Sequence, residues 1–243
     1  MLHKPHLRLV EHADKAVLFI HGSAGTPNHF RDLIPLVSED VSVCALLLDG
    51  HGKDVQAFSK TSMKTWLRQV DEAAEMLLAT HKELIIAAHS MGTLFAIGQA
   101  VKRPEIKKLF LLAVPLKIFV RPSMARDAFC VAFDQVRKED ERAVAAKAAC
   151  GIAPSRRLWL YLGWIPRYLE LFSQIGKTKK RLPALNTSAL VFQSRKDEMV
   201  SMASCRLLRK CGCVKLHILE NSSHHYYAEE DYRFVLKCFK EFF

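Results

Sequence analysis

The chain has 243 residues, half of them hydrophobic, and a formal net charge of +11 at pH 7. This size allows one large core, either as one domain or as one domain with an insertion. No segment reaches the roughly 18 uninterrupted apolar residues that a membrane helix requires. The first residues lack the apolar core of a signal peptide, and the seven cysteines are scattered. We therefore expect free thiols and a cytoplasmic location.

Short, continuous apolar runs are the main signal of secondary structure. Such runs are typical of strands covered on both faces, as in a parallel sheet. They alternate with helical patterns, which predicts right-handed crossovers and a mostly parallel, doubly wound α/β sheet. The predicted strands are residues 15–20, 41–48, 84–88, 108–113, 189–193 and 214–219, and the predicted helices are residues 30–37, 62–80, 202–211 and 231–242.

The stretch before residue 184 interrupts this alternation and looks helical, with residues 121–149 rich in Ala, Arg, Lys and Glu. We expect residues 116–183 to form a helical cap inserted into a core made of residues 1–115 and 184–243. Its apolar patch contains Trp159 and Trp164, which we expect to line a substrate pocket, although ordinary cap packing explains them equally well.

The positive charge is concentrated in the same stretch. Residues 117–181 contain fourteen Lys and Arg against six Asp and Glu. Such a bias can attract anionic substrates, membrane surfaces or nucleic acid, or be only a solvated surface. Because no nucleic-acid motif accompanies the charge, we expect no nucleic-acid partner and at most a weak contact with membrane surfaces. The oligomeric state is left open.

The segment Ala88-His89-Ser90-Met91-Gly92 follows a predicted strand and precedes a helical pattern. A sharp strand–serine–helix turn presents a serine hydroxyl to a base and to oxyanion donors. The usual pattern is Gly-x-Ser-x-Gly, and Ala88 replaces its first glycine by the smallest side chain. Ser90 is therefore the candidate nucleophile.

A serine nucleophile needs a base, and the base needs an acidic partner that fixes its tautomer. In hydrolases with this turn the chain order is Ser, then Asp or Glu, then His. Asp197 follows the fifth predicted strand and His224 follows the sixth, in that order. Glu198 is the alternative acid, less favoured because its side chain is longer. His225 is an alternative base that the residues alone do not exclude.

Backbone N–H groups are the expected oxyanion donors, one after the nucleophile and one after an early strand. These are Met91 and Ser23. His21, beside Ser23, is interpreted as a structural loop residue. Phosphate-binding glycine patterns are absent, and we expect no cofactor. The histidines at positions 21, 51, 89, 224 and 225 show no metal-ligand spacing, so we expect no catalytic metal.

Taken together, these motifs resemble the α/β-hydrolase superfamily, and most closely its small bacterial carboxylesterases and monoacylglycerol-lipase-like enzymes. The resemblance covers residues 10–115 and 184–243, and the cap region matches only in position. It implies that Ser90, Asp197 and His224 act as nucleophile, acid and base, and it favours His224 over His225. Ser223 stands where the family usually has glycine, and His225 where an aliphatic residue is common.

The resemblance implies hydrolysis of carboxylic esters, with short- to medium-chain acyl groups or monoacyl esters as substrates and an acyl-enzyme as intermediate. Two alternatives remain. One is a thioesterase or acyltransferase on acyl-CoA-like substrates, to which the basic cap would be attractive. The other is a non-catalytic binding protein on the same fold, because fold does not fix function.

Overall fold

The computed structural model describes residues 3–119 and 136–242. Its strands are His6–Arg8 (β1), Lys15–Ile20 (β2), Ser42–Ala45 (β3), Glu83–His89 (β4), Ile106–Leu112 (β5), Ser188–Ser194 (β6) and Val214–Leu219 (β7). They form one seven-stranded sheet in the order β1-β3-β2-β4-β5-β6-β7. β1 is antiparallel to β3, and the other neighbours are parallel. The predicted mostly parallel, doubly wound sheet is confirmed.

Helices cover both faces of this sheet. They are Val55–Lys60 (α1), Met63–Leu78 (α2), Met91–Lys102 (α3), Glu141–Ala149 (α4), Ile165–Arg181 (α5), Ala203–Leu208 (α6) and Glu229–Lys240 (α7). Ser62 caps α2 by accepting a hydrogen bond from the Thr65 N–H, which satisfies one of the free donors at a helix start. None of the described helices is long and apolar enough to cross a membrane.

The central strands are buried because alternate side chains enter two separate cores. On one face, Leu18 and Ile86 pack in a cluster with Trp66 of α2. On the other face, Phe19 and Phe110 pack in a second cluster, which includes Phe239 of α7. A strand that needs apolar side chains on both faces reads as a continuous apolar run, and for this reason the central strands were predictable.

Some local predictions differ from the structure, and two elements were not predicted. The predicted helix 30–37 is replaced by two 3₁₀ turns, Pro27–Phe30 and Ile34–Leu36. Pro35 lies in the second turn, and proline lacks the N–H that an α-helix interior requires. The predicted strand 41–48 is limited to Ser42–Ala45, and both β1 and α1 were not predicted.

The described residues between β5 and β6 contact α1, α2 and α3. It contains α4, a 3₁₀ segment Leu158–Trp164 and α5, and the part of the predicted helix 121–149 before residue 136 lies outside the described residues. Arg167 of α5 donates hydrogen bonds to the backbone oxygens of Ser59 and Thr61. Glu170 accepts one from the Met63 N–H at 2.9 Å. These contacts attach α5 to the rest of the protein. That a helical cap begins at residue 116 and ends at residue 183 stays a prediction.

Candidate active site

Ser90 occupies the turn between β4 and α3, with φ 51° and ψ −123°. This left-handed region is unfavourable for residues with a side chain. The turn also packs closely against the end of β2. A Cβ on Gly92 would lie 2.2 Å from the Ile20 carbonyl oxygen, and a Cβ on Gly22 would lie 2.9 Å from the Ser90 Cβ. Glycine at these two positions therefore allows Ser90 to lie directly before the first residue of α3.

Ala88, the departure from the usual glycine, lies within extended β4. It pairs with Ile20 of β2 and Leu111 of β5, and its methyl group is fully buried in the core. The methyl group thus contributes to packing, and it leaves the Ser90 turn intact.

The structure brings together the three side chains that the chain order suggested. The Ser90 Oγ lies 3.0 Å from His224 Nε2, and His224 Nδ1 lies 2.9 Å from Asp197 Oδ2. The other oxygen of Asp197 accepts hydrogen bonds from the N–H groups of Met199 and Val200, at 2.8 and 2.7 Å. With Nδ1–H donated to the carboxylate, Nε2 is the nitrogen that can accept the serine proton.

Glu198 contacts the same histidine in a different way. Its Oε2 accepts a hydrogen bond from the backbone N–H of His224 at 3.2 Å, whereas Asp197 takes the ring. Both carboxylates are buried. Of the two acids considered from the sequence, Asp197 therefore belongs to the hydrogen-bonded chain Ser90–His224–Asp197, which we call the relay. Glu198 holds the main chain of His224 instead. The imidazole that accepts a hydrogen bond from Ser90 is that of His224 and not that of His225.

Two opposing effects act on the pKa of His224. Burial favours the neutral ring and would lower the pKa. The charge of Asp197, the hydrogen bond to it and the charge of Glu198 outweigh burial, so the pKa is raised above its ordinary value. A raised pKa makes the imidazole a stronger base towards the serine hydroxyl.

The loop that carries His224 is held by hydrogen bonds of Asp231, a contact that was not predicted, and of Ser223. Asp231, at the start of α7, accepts hydrogen bonds from Asn221 N–H and Ser222 Oγ, at 2.9 and 2.7 Å. Ser223, where the family usually has glycine, donates its N–H to the Tyr226 oxygen and accepts a bond from the Tyr226 N–H at its Oγ. The serine at this position thus stabilises the turn that contains His224.

Two N–H groups of the loop after β2 have acceptors within the protein. Ala24 donates its N–H to His51 Nε2, and Gly25 donates its N–H to the Gly22 oxygen, so these two groups are already bonded. His21 is buried and bridges the Gly22 oxygen and the Leu48 N–H, as expected of a structural residue. The structural role of His51 was not predicted.

Met91 is the other predicted oxyanion donor. It is the first residue of α3. The N–H groups of the first helical turn have no intrahelical acceptor and lie at the positive end of the helix dipole, which favours a negative charge there. Ser23 and Ser90 both line the same cavity. That the N–H groups of Ser23 and Met91 act as donors stays a prediction.

A largely apolar cavity of about 200 Å³ opens beside Ser90. Trp164 lines it and donates its ring N–H to the Val55 oxygen at 3.1 Å. Trp159 does not line it, and 64% of its surface is exposed. The expectation that Trp159 lines the pocket is therefore wrong, because the 3₁₀ segment directs the two rings differently. The lining includes Pro115, Ile118, Ala146, Ile152, Tyr161, Trp164, Leu171 and Val200.

Trp159 belongs instead to an exposed apolar surface of the cap. Its members share one property, an exposed fraction above one half, and they are Leu158, Trp159, Leu162, Ile165, Leu169 and Phe172. Basic residues 177 and 179–181 follow at the end of α5. A weak contact between the cap and membrane surfaces stays a prediction.

Comparison with known proteins supports the same fold. The chain is 22% identical to a thermostable monoacylglycerol lipase from Bacillus sp. strain H-257 over 239 residues, which is 96% of this chain and 92% of that protein. A metagenome-derived lipolytic enzyme has a similar structure, with a TM-score of 0.76 and 20% identity over 99% of this chain and 97% of the other. A monoacylglycerol lipase from Paleococcus ferrophilus has a TM-score of 0.69 and 17% identity, covering 98% of each chain.

The family comparison covers the strands on both sides of the segment between β5 and β6. The sequence profile described as "Alpha/beta hydrolase family" matches residues 17–237, which is most of the chain. This range includes every strand from β3 to β7 and all three residues of the relay. The chain belongs to the α/β-hydrolase family.

Proposed function

We propose that this protein is a serine hydrolase that cleaves carboxylic esters with short or medium acyl chains. The observation that carries the proposal is the relay from Ser90 through His224 to Asp197. Ser90 and His224 line a largely apolar cavity. A hydroxyl hydrogen-bonded to an imidazole that is itself held by a buried carboxylate is an activated nucleophile.

The proposed reaction has two steps. His224 takes the proton of Ser90 as the serine oxygen attacks the ester carbonyl, and Asp197 stabilises the imidazolium. The N–H groups of Ser23 and Met91 stabilise the oxyanion, and His224 then protonates the leaving alcohol. In the second step, water activated by His224 attacks the acyl-enzyme and releases the acid.

The cavity supports a limited acyl length. Its volume of about 200 Å³ is below the roughly 300–1,000 Å³ of pockets that enclose drug-sized ligands. Its lining combines Ser90 and His224, beside which the carbonyl would react, with mostly apolar side chains such as Trp164 and Leu171. An unbranched acyl chain with a polar reacting end matches this distribution.

A panel of esters with graded acyl length tests the proposal. We expect turnover to be highest for short or medium chains, and we expect Ala146→Phe to lower turnover of the medium-chain esters by at least about tenfold, because the ring would fill part of the cavity. Ala145→Phe is the matched control, since Ala145 is the neighbour of Ala146 on α4 but lines a different cavity.

Two results would count against this assignment. One is the absence of turnover for every ester in a protein whose Ser90 reacts with a fluorophosphonate. The other is an identical chain-length profile for both phenylalanine variants. Thioesters of the same acyl groups belong in the panel, because a strong preference for them would identify a thioesterase instead.

The pH profile tests the part played by Glu198. His224 acts as a base only when neutral, so kcat/KM falls as the pH decreases through its raised pKa. Glu198→Gln removes a charge that raises this pKa but keeps an oxygen for the His224 N–H. We therefore expect the acid limb of the variant at a lower pH than that of the wild type, with activity at alkaline pH largely retained. An acid limb that does not move would contradict this role.

A further inference from the structure

Three imidazoles that the proposed reaction does not use lie together near Ser90. His29 comes from the first 3₁₀ turn after β2, His89 from the end of β4 and His225 from the loop after β7. One ring nitrogen of each lies within 4.8 Å of those of the other two. The ring centroids of His29 and His89 are 3.7 Å apart, and those of His89 and His225 are 5.5 Å apart.

Burial disfavours the protonated form of all three rings. Burial, followed by the nearby charge of His224, lowers the pKa of His29 to about 3. Burial also lowers the pKa of His89 and of His225 well below the ordinary value. A neutral imidazole has a nitrogen lone pair available, which is the form that binds metal ions.

The hydrogen bonds of the cluster also fit a metal site. His225 Nδ1 is a buried nitrogen without a hydrogen-bond partner. His89 Nε2 lies 3.1 Å from the His224 backbone oxygen, to which it donates. Metal-binding histidines commonly donate their second ring N–H to a carbonyl in this way, which fixes the tautomer and orients the ring.

A second cavity gives access to the cluster from outside the acyl pocket. It has a volume of about 200 Å³ and is lined by His29 and His225. Arg31 and Asp32, both largely exposed, lie in the same wall, so the cavity reaches the protein surface. His225 also lines the cavity beside Ser90, and it therefore lies between the two cavities.

We propose that His29, His89 and His225 bind one transition-metal cation of the zinc type, and that this cation inhibits hydrolysis at Ser90. A donor set of imidazoles suits Zn²⁺, Co²⁺, Ni²⁺ or Cu²⁺ and does not suit Mg²⁺ or Ca²⁺. Nitrogens lie about 2.1 Å from zinc, so three of them are about 3.4 Å apart. Because the three nitrogens lie within 4.8 Å of one another in this structure, binding would require the half-buried rings of His29 and His225 to rotate towards the ion.

Inhibition follows from the contacts of the cluster with the base. His225 is the next residue after His224, and His89 is hydrogen-bonded to the His224 oxygen. Rotation of these rings towards an ion moves the His224 loop, and a displacement of about 1 Å at a catalytic group costs on the order of 100-fold in rate. The ion would hold no reacting atom, so it differs from the catalytic metal that the sequence argued against.

The test uses tag-free, chelator-treated full-length protein titrated with Co²⁺. We expect one ion per chain, with visible d–d absorption and without the charge-transfer band of a thiolate ligand. His29→Phe keeps an aromatic ring against His89 but removes a ligand, and it should weaken binding at least tenfold. His217→Phe is the matched control, because His217 also stacks on an aromatic ring, Phe192, and lines a different cavity.

Activity is measured in parallel with Zn²⁺. We expect at least tenfold inhibition of the wild type and of His217→Phe, reversed by chelator, and none of His29→Phe at the same zinc concentration. His225→Leu should reproduce the loss of cobalt binding, which decides the matter if His29→Phe does not fold. Absence of stoichiometric binding, a thiolate spectrum, or equal binding by the His29 and His217 variants would each overturn the proposal.

Discussion

Replacement of Ser90 by alanine is expected to lower kcat by about 10⁴- to 10⁶-fold, the range found when a serine nucleophile is removed. The physical reason is that no other atom at the Ser90 position can form the acyl-enzyme, while the contact between His224 and Asp197 persists. Steady-state hydrolysis of the best ester in the panel, together with fluorophosphonate labelling, measures the loss.

Ser23→Ala is the matched control for this experiment. Ser23 and Ser90 are the two serines among the described residues that line the cavity, and Ser23 is proposed to act through its backbone N–H, which alanine keeps. We expect this variant to retain labelling and most of its activity. Equal loss in both variants, or unchanged turnover in Ser90→Ala, would rule out Ser90 as the nucleophile.

Asp197→Asn is expected to lower kcat/KM by about 10⁴-fold, as in other Ser-His-Asp enzymes. The amide can keep the Oδ1 contacts with the N–H groups of Met199 and Val200, so the loop can retain its structure. Its NH₂ group cannot accept the Nδ1–H of His224, and the ring then adopts the tautomer with the proton facing Ser90. Kinetics across pH, with circular dichroism to verify folding, measure this effect.

Glu198→Gln distinguishes the role of Glu198 from that of the neighbouring Asp197. The glutamine keeps an acceptor for the His224 N–H, and the relay itself is unchanged. We expect a loss of less than about tenfold at alkaline pH, which is far smaller than the loss for Asp197→Asn. If the glutamine variant were the more damaged of the two, the roles assigned to Asp197 and Glu198 would be reversed.

The sequence predicted the central sheet well because each buried strand is a continuous apolar run. β1 was missed for the opposite reason: the three residues His6–Arg8 carry no such run, and their strand exists because they pair with β3. α1 has six residues, too few for a clear helical period. The segment 30–37 shows that an apparent helix which contains a proline, Pro35, can fold as 3₁₀ turns instead.

The relay was predictable in a way that the histidine cluster was not. Ser90, Asp197 and His224 each follow a strand, and parallel strands end at one edge of the sheet. The residue type and the chain order then limited the choice. His29 lies in a short 3₁₀ turn and matches no metal-ligand spacing with His89 or His225, so only the folded chain brings the three rings together. Trp159 and Trp164 share one patch, but their exposure depends on the orientation of the 3₁₀ segment.

The arrangement around His224 has a mechanical consequence. Asp197 holds its ring and Glu198 holds its main chain, and these two acids are joined by a single peptide bond. The tilt of the imidazole and the position of its loop are therefore not independent variables. A displacement of the turn after β6 would therefore shift the imidazole and its loop in the same direction, so that the base keeps its position in its loop while its distance to the serine changes.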